Sequence, residues 1–222
     1  MNNNLIEPEL RQIHSTVLLV GGEVERAIER SMQALVSRDT QLAEQVLADD
    51  DRIDELELES DQIGIRVLAL KAPEARDLRF VVSSSKIVTL LERIGDHACN
   101  IARATIELNE HPMFRLHPDL PQMAQVAREM LHDALDAFAD SNATAAREII
   151  DRDDEIDLLY DRLFQELLDY VAQDPNMAAQ ATRLVLVAKN LERIGDCAKD
   201  ICEQVVYMKE ARVIKHSRLV KE

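Results

Sequence analysis

The 222-residue chain has few of the residues that build β-sheets, tight turns or linkers. Aromatic residues make up 3% of the sequence, tryptophan is absent, and there are only 5 glycines and 6 prolines. Sandwiches and barrels need many turns and strands rich in aromatic or β-branched residues, so these folds are disfavoured. The scarcity of glycine and proline also argues against a disordered chain. This composition predicts a helical protein with an aliphatic core.

Basic residues are a minority too. The chain has 26 Lys and Arg against 42 Asp and Glu, and its formal net charge is -16. Electrostatic binding of nucleic acid requires a basic face, so we expect no nucleic-acid partner and look instead for cations and basic partners. The longest apolar runs, Val17–Val20 and Leu184–Ala188, are much shorter than the ~20 residues of a membrane span.

Cysteine is sparse, and no secretory signal is visible. The three cysteines, Cys99, Cys197 and Cys202, contain no C-x-x-C pair. The first residues lack a basic region followed by an apolar stretch. These features are typical of reduced thiols, and they predict a cytoplasmic location.

What the chain does contain is an internal repeat. The hexapeptide Leu91–Asp96 recurs unchanged as Leu191–Asp196, 100 residues later. A weaker match relates Asp50–Asp54 to Asp153–Asp157, at an offset of 103. Two ordered matches at nearly equal offsets indicate duplication of a unit of about 100 residues.

Each repeat reads as three helices, because apolar residues recur at steps of three and four. The first helix is predicted over 10–36 and the second over 40–71, and the third follows Pro73. Residues 109–121 form the connector, and later helices begin near Pro121, Asn142 and Pro175. The predicted fold is all-α, with two tandem antiparallel three-helix bundles in residues 1–110 and 111–222.

Pairs of acidic residues four apart mark both repeats, and such residues share one helix face. The four pairs are Glu92 with Asp96, Glu192 with Asp196, Asp50 with Asp54, and Asp153 with Asp157. The pairs on the third and sixth helices lie nearly opposite the heptad seams of those helices, so we expect them to face outward. If the second and third helices of a repeat are neighbours, its four carboxylates can converge.

Two interpretations of these pairs stay open. One is an ordinary solvated helix face, partly neutralised by Arg93 and Arg193. The other is a site for a hard cation such as magnesium, manganese, calcium or iron, which oxygen-rich and sulfur-free ligand sets suit. Gly95 and Gly195 each cost about 1 kcal/mol relative to alanine inside a helix, and they would let a neighbouring helix or ligand approach.

The doubled motif resembles the PhoU family of phosphate-specific transport accessory and regulatory proteins. Residues 73–79 and 91–98 are similar to the first-repeat signature, and residues 187–196 are similar to the second. The resemblance covers nearly the whole chain. It implies two three-helix bundles and carboxylate-bound metal at the acidic faces, with iron, manganese, magnesium or zinc as the ion.

The resemblance also implies a non-catalytic negative regulator of phosphate uptake and of the phosphate-starvation response. Such proteins act between the ATPase subunit of the phosphate ABC transporter and a sensor histidine kinase. They are often homodimers and reach the membrane only through partners. In the second motif Cys197 and Asp200 replace the usual His and Asn, and Asp200 becomes a further candidate metal ligand.

A carboxylate-cluster metalloenzyme, either a hydrolase or an oxidase, is the alternative function. Catalysis would need a general acid or base, or histidines close to the metal. None of the 6 histidines stands in a paired arrangement in the sequence, which favours the adaptor.

The C-terminal segment, 209–221, is the one markedly basic stretch. Its basic residues are Lys209, Arg212, Lys215, Arg218 and Lys221. Cations at the end of the last helix complement the helix dipole, and a basic tail could also contact an acidic partner or anionic lipid.

Overall fold

The computed structural model describes residues 6–111 and 116–214, which form helices joined by short turns. The first repeat contains α1 (Glu7–Ser37), α2 (Thr40–Asp49), α3 (Asp51–Lys71) and α4 (Ala75–Asn109). The second contains α5 (Asp119–Ala139), α6 (Ala143–Ile150), α7 (Asp153–Gln173), a 3-10 turn (Pro175–Met177) and α8 (Ala178–Glu210). Neither described range contains a β-strand, in agreement with the predicted all-α class.

The long helices α4 and α8 form the centre of the molecule, where they pack against each other. All positions of their heptad seams are buried: Ile87, Leu91, Ile94, Ala98, Ile101 and Thr105 in α4, and Leu184, Val187, Leu191, Ile194, Ala198, Ile201, Val205 and Met208 in α8. α1 packs against α4 and α5, and α5 packs against α8. One hydrophobic core therefore extends through both repeats, and the division at residue 110 stays a prediction.

The prediction of one continuous second helix over 40–71 is wrong, because the helix is interrupted at Asp50. In the second repeat the same interruption falls at Asp151 and Arg152. Negative charge is unfavourable at the C-terminal end of a helix and favourable in the first turn of the next. The acidic run that begins at Asp49 therefore favours a new helix start, and Asp51 and Asp54 lie in the first turn of α3.

Glycines in the middle of α4 and α8 permit a close approach by these new helix starts. A Cβ atom on Gly95 would lie 3.1 Å from Ile53 Cδ1 and 3.3 Å from Asp50 Oδ1. A Cβ atom on Gly195 would lie 3.1 Å from Ile156 Cγ2. The expectation that these glycines let a neighbouring helix approach is confirmed, and it positions acidic residues of α3 and α7 beside those of the central helices.

The C-terminal end of α8 is held by a bidentate ion pair. Both Oε atoms of Glu210 accept hydrogen bonds from Arg147, at 2.8 and 2.6 Å. The basic residues Lys215, Arg218 and Lys221 lie outside the described residues, so the role of the tail stays a prediction. Across the described ranges, every helix is too short or too polar to span a bilayer.

Candidate functional site

A first carboxylate cluster lies where the start of α3 meets the middle of α4. We use this name for Asp50, Asp54, Glu57, Glu92 and Asp96. Burial, and then the charges of Asp96, Glu57, Asp54 and Asp50, raise the pKa of Glu92 to about 7. Burial also raises the pKa of Asp50, and Asp54 and Asp96 add to that effect. The structure thus brings together the two acidic pairs of the first repeat, which the spacing placed on separate helices, and adds Glu57 to them.

The raised pKa of Glu92 links stability to pH in the metal-free protein. Between its ordinary value of 4.5 and about 7, Glu92 holds a proton in the folded protein that it releases in the unfolded chain. Stability falls with rising pH wherever the folded state binds more protons. The contribution of Glu92 is therefore most favourable below pH 4.5 and is lost as the pH rises through 7.

A second carboxylate cluster occupies the matching place between α7 and α8. It consists of Asp153, Asp157, Glu192 and Asp196. Partial desolvation by the surrounding helices, followed by the charges of Glu192 and Asp153, raises the pKa of Asp196. Partial desolvation, followed by the charges of Asp153 and Glu192, raises the pKa of Asp157. Four predicted ligands of the second repeat therefore also lie together.

Two lysines join the second cluster, and neither was predicted to do so from the sequence. Lys199 Nζ forms an ion pair with Asp153 Oδ2. Lys189 Nζ donates a hydrogen bond to Glu192 Oε1 at 2.7 Å. A comparison of the two repeats could have identified these lysines, because the matched positions of the first repeat hold neutral residues.

The expectation that the acidic pairs of α4 and α8 face outward is wrong for their glutamates. The side chain of Glu192 is 13% exposed, and Glu92 is partly buried, whereas Asp96 and Asp196 are exposed. The heptad seam identifies only one buried face of a helix. α4 and α8 are central helices that α3 and α7 cover on a second face, which is where the glutamates lie.

The first cluster has the donor chemistry of a hard-cation site, although the side chains are not yet gathered around one point. Within residues 6–111 and 116–214, no three His, Cys, Asp or Glu side chains are close enough together to hold a metal ion. The five members of the first cluster are all carboxylates, and none forms an ion pair with a described lysine or arginine. Side-chain rotations would therefore have to accompany cation binding.

A cleft of about 460 Å³ lies between α4 and α8, where the two copies of the repeated motif meet. Its lining residues are Arg93, His97, Arg193, Asp196, Cys197, Lys199, Asp200 and Glu203. Asp200, the ninth predicted ligand, thus faces this cleft together with Asp196. His97 Nδ1 lies 3.0 Å from Asn190 Oδ1, so this pair joins the repeats. The sequence analysis missed the cleft because only the packing of one repeat on the other creates it.

A search of protein-family models matches the PhoU domain twice, to residues 17–105 and 120–205. The chain belongs to the PhoU family. Two relatives are each described as a phosphate-specific transport system accessory protein PhoU homolog. The Clostridium acetobutylicum protein is 37% identical over 209 residues, which are 94% of this chain and 95% of that protein. The Aquifex aeolicus protein is 36% identical over 211 residues, which are 95% of this chain and 96% of that protein.

Solved structures of PhoU proteins have the same fold as this chain. The crystal structure of PhoU from Pseudomonas aeruginosa has a TM-score of 0.90 at 35% identity, and the match covers 93% of this chain and 100% of that one. The crystal structure of the phosphate transport system regulatory protein PhoU from Streptococcus pneumoniae has a TM-score of 0.87 at 31% identity. This match covers 94% of this chain and 99% of that one. These matches confirm the predicted two-repeat helical bundle.

Proposed function

We propose that this protein is a non-catalytic regulatory adaptor in phosphate homeostasis that restrains phosphate uptake and the phosphate-starvation response. The observation that carries the proposal is the full-length match to the PhoU family in both repeats. The names of the relatives associate that family with phosphate-specific transport. In this proposal the protein represses phosphate uptake and the phosphate-starvation response when phosphate is abundant.

Two proteins are the partners of this adaptor in our proposal: the ATPase subunit of the phosphate ABC transporter and the sensor histidine kinase of the phosphate regulon. The chain acts as a cytoplasmic homodimer and reaches the membrane only through these proteins. Its net charge of -16 supports association with basic surfaces, because complementary charge accelerates and orients docking. The same charge opposes binding to nucleic acid.

We further propose that the acidic face binds a divalent cation, with iron, manganese, magnesium or zinc as the ion. The first cluster supports this role best, since its five carboxylates are near one another and none of them forms an ion pair with a described lysine or arginine. Burial is the main cause of the raised pKa of Glu92, and a cation there would relieve the repulsion that adds to it. It would also connect α3 to α4, so metal supply could influence the surface that partners meet.

A metalloenzyme is the second candidate, and the cleft between α4 and α8 is the observation that favours it. Asp196 and His97 both line that cleft, and a neutral imidazole can act as a general base. Burial lowers the pKa of His97, which favours the neutral form. Burial raises the pKa of Cys197 to about 11, so this thiol is a poor nucleophile. We expect metal-loaded protein to turn over neither phosphate esters nor redox substrates.

Co-purification tests the adaptor proposal directly. An affinity-tagged copy isolated from cells grown in abundant phosphate should carry both the transporter ATPase subunit and the sensor kinase, because an adaptor contacts both. An untagged strain is the control for nonspecific capture. Recovery of neither protein, in abundant or in scarce phosphate, would contradict the adaptor proposal. Turnover of phosphate esters or redox substrates by the metal-loaded protein would favour the metalloenzyme.

A further inference from the structure

The two carboxylate clusters are built alike but differ in the positive charge that each contains. We infer that Lys189 and Lys199 fill the place of a metal ion in the second cluster, so that divalent cations bind at the first cluster alone. This inference rests on the proposed cation role of the acidic face, and it specifies which repeat performs that role.

The two clusters occupy equivalent places, which makes their differences interpretable. In each repeat the start of a helix packs an isoleucine against a glycine in the middle of a central helix. Ile53 lies against Gly95, and Ile156 lies against Gly195, at the same 3.1 Å from a Cβ built on the glycine. The backbone framework around the acidic groups is therefore shared, and the side chains decide what each cluster binds.

In the second cluster, ammonium groups already bind the carboxylates that a metal would need. Lys199 pairs with Asp153, whose side chain is only 8% exposed. Lys189 donates to Glu192 at 2.7 Å, and its Nζ lies 5.2 Å from the centre of the Tyr160 ring. That ring favours a cation above its face. Four carboxylates thus face two fixed positive charges.

In the first cluster, neutral residues occupy both lysine positions. Thr89 corresponds to Lys189, and its hydroxyl donates to Glu57 Oε1 at 2.9 Å. Cys99 corresponds to Lys199; it is buried, and its thiol donates to the carbonyl of Val46. The aromatic ring is also replaced, since Glu57 occupies the position of Tyr160. Five carboxylates therefore lie together without an ammonium group.

A metal ion at the second cluster would have to displace Lys199 from Asp153, whose side chain is only 8% exposed. The metal ion must therefore compete with an ammonium group that already forms a charge-assisted hydrogen bond to this nearly buried carboxylate. A metal ion that bound without displacing the lysines would instead be repelled by two ammonium groups close to its ligands. Neither cost arises at the first cluster.

Removing the lysines should open the second cluster, because donor atoms are available there. Asp153 Oδ1 and Glu192 Oε2 are buried and accept no hydrogen bond from the described residues. Once the lysines are gone, these two carboxylates regain both oxygens as ligands, with Asp157 and Asp196 beside them. The second cluster would then resemble the first in donor set and in charge.

The test is a Mn²⁺ titration of the full chain, stripped of metal with a chelator and followed by electron paramagnetic resonance. The wild type and a Glu192→Ala/Asp196→Ala variant should bind the same number of Mn²⁺ ions. A Glu92→Ala/Asp96→Ala variant should lose saturable binding. A Lys189→Thr/Lys199→Ser variant, which installs Thr89 and a small neutral stand-in for Cys99, should roughly double the number bound. Circular dichroism verifies that each variant retains its helices.

The outcomes separate the inference from the cation role on which it rests. Loss of half the wild-type Mn²⁺ in the Glu192→Ala/Asp196→Ala variant would overturn the inference and leave the cation role intact. An unchanged Mn²⁺ count in the Lys189→Thr/Lys199→Ser variant would also overturn it. Absence of saturable Mn²⁺ binding in the wild type and in every variant would overturn the cation role together with the inference.

Discussion

Replacement of Gly95 by leucine is expected to lower the free energy of unfolding by about 3 kcal/mol, in the upper part of the usual overpacking range. A Cβ atom alone would lie 3.1 Å from Ile53 Cδ1, and the rest of a leucine side chain has to push the start of α3 away from α4. For a chain of this size such a loss lowers the melting temperature by about 6–12 °C. Thermal unfolding of metal-free protein, followed by circular dichroism, measures this change.

Gly22 provides the matched control in the same protein. A Cβ atom there would approach only Arg26 Nη1, at 3.8 Å, and Gly22 also lies inside a helix. Because leucine forms helices better than glycine, Gly22→Leu should stabilise the chain by up to about 1 kcal/mol. Equal melting temperatures for the two variants would show that α3 does not pack on α4 as closely as described.

Divalent cation is expected to stabilise the protein at pH 8. Binding to the folded state at 100 times the dissociation constant contributes about 2.7 kcal/mol, which corresponds to a melting temperature higher by about 5–11 °C. At pH 5.5 the increase should be much smaller, because Glu92, with its pKa raised to about 7, holds a proton that the cation must displace. Thermal unfolding with MnCl₂ and with a chelator, at both pH values, measures the difference.

A Glu92→Gln/Asp96→Asn variant is the control for this experiment, since it preserves side-chain size and removes two charges of the first cluster. We expect its melting temperature to be insensitive to Mn²⁺. In chelator at pH 8 this variant should be more stable than the wild type, because repulsion within the cluster is reduced. The same Mn²⁺ response in variant and wild type would refute the assignment of the ligands.

Periodicity and capping residues predicted most of the helical framework. The seams of α4 and α8 consist of aliphatic residues at heptad spacing, and helices of that pattern bury the same face in any bundle. Asn142 and Asp174 accept hydrogen bonds from backbone N–H groups at helix starts, as their positions suggested. The break at Asp50 was missed because its backbone stays in the helical region, so the apolar pattern continues across it.

The composition of the candidate site was predictable in part. Spacing identified the acidic pairs, yet their partial burial depends on which helices cover the second face of α4 and α8, and no pattern within one helix contains that information. Lys189 and Lys199 could have been found by comparing the two repeats position by position. The cleft around His97 and Asn190 depends on contact between repeats, so only the tertiary structure reveals it.

Expression of a phosphate-starvation reporter in phosphate-rich medium is the measurement that tests the proposed adaptor function most directly. In a strain that lacks this gene, we expect high reporter expression despite abundant phosphate, and a wild-type copy should return it to the repressed level. Repressed expression in the deletion strain, equal to that of its parent, would contradict the claim that this protein restrains the phosphate-starvation response.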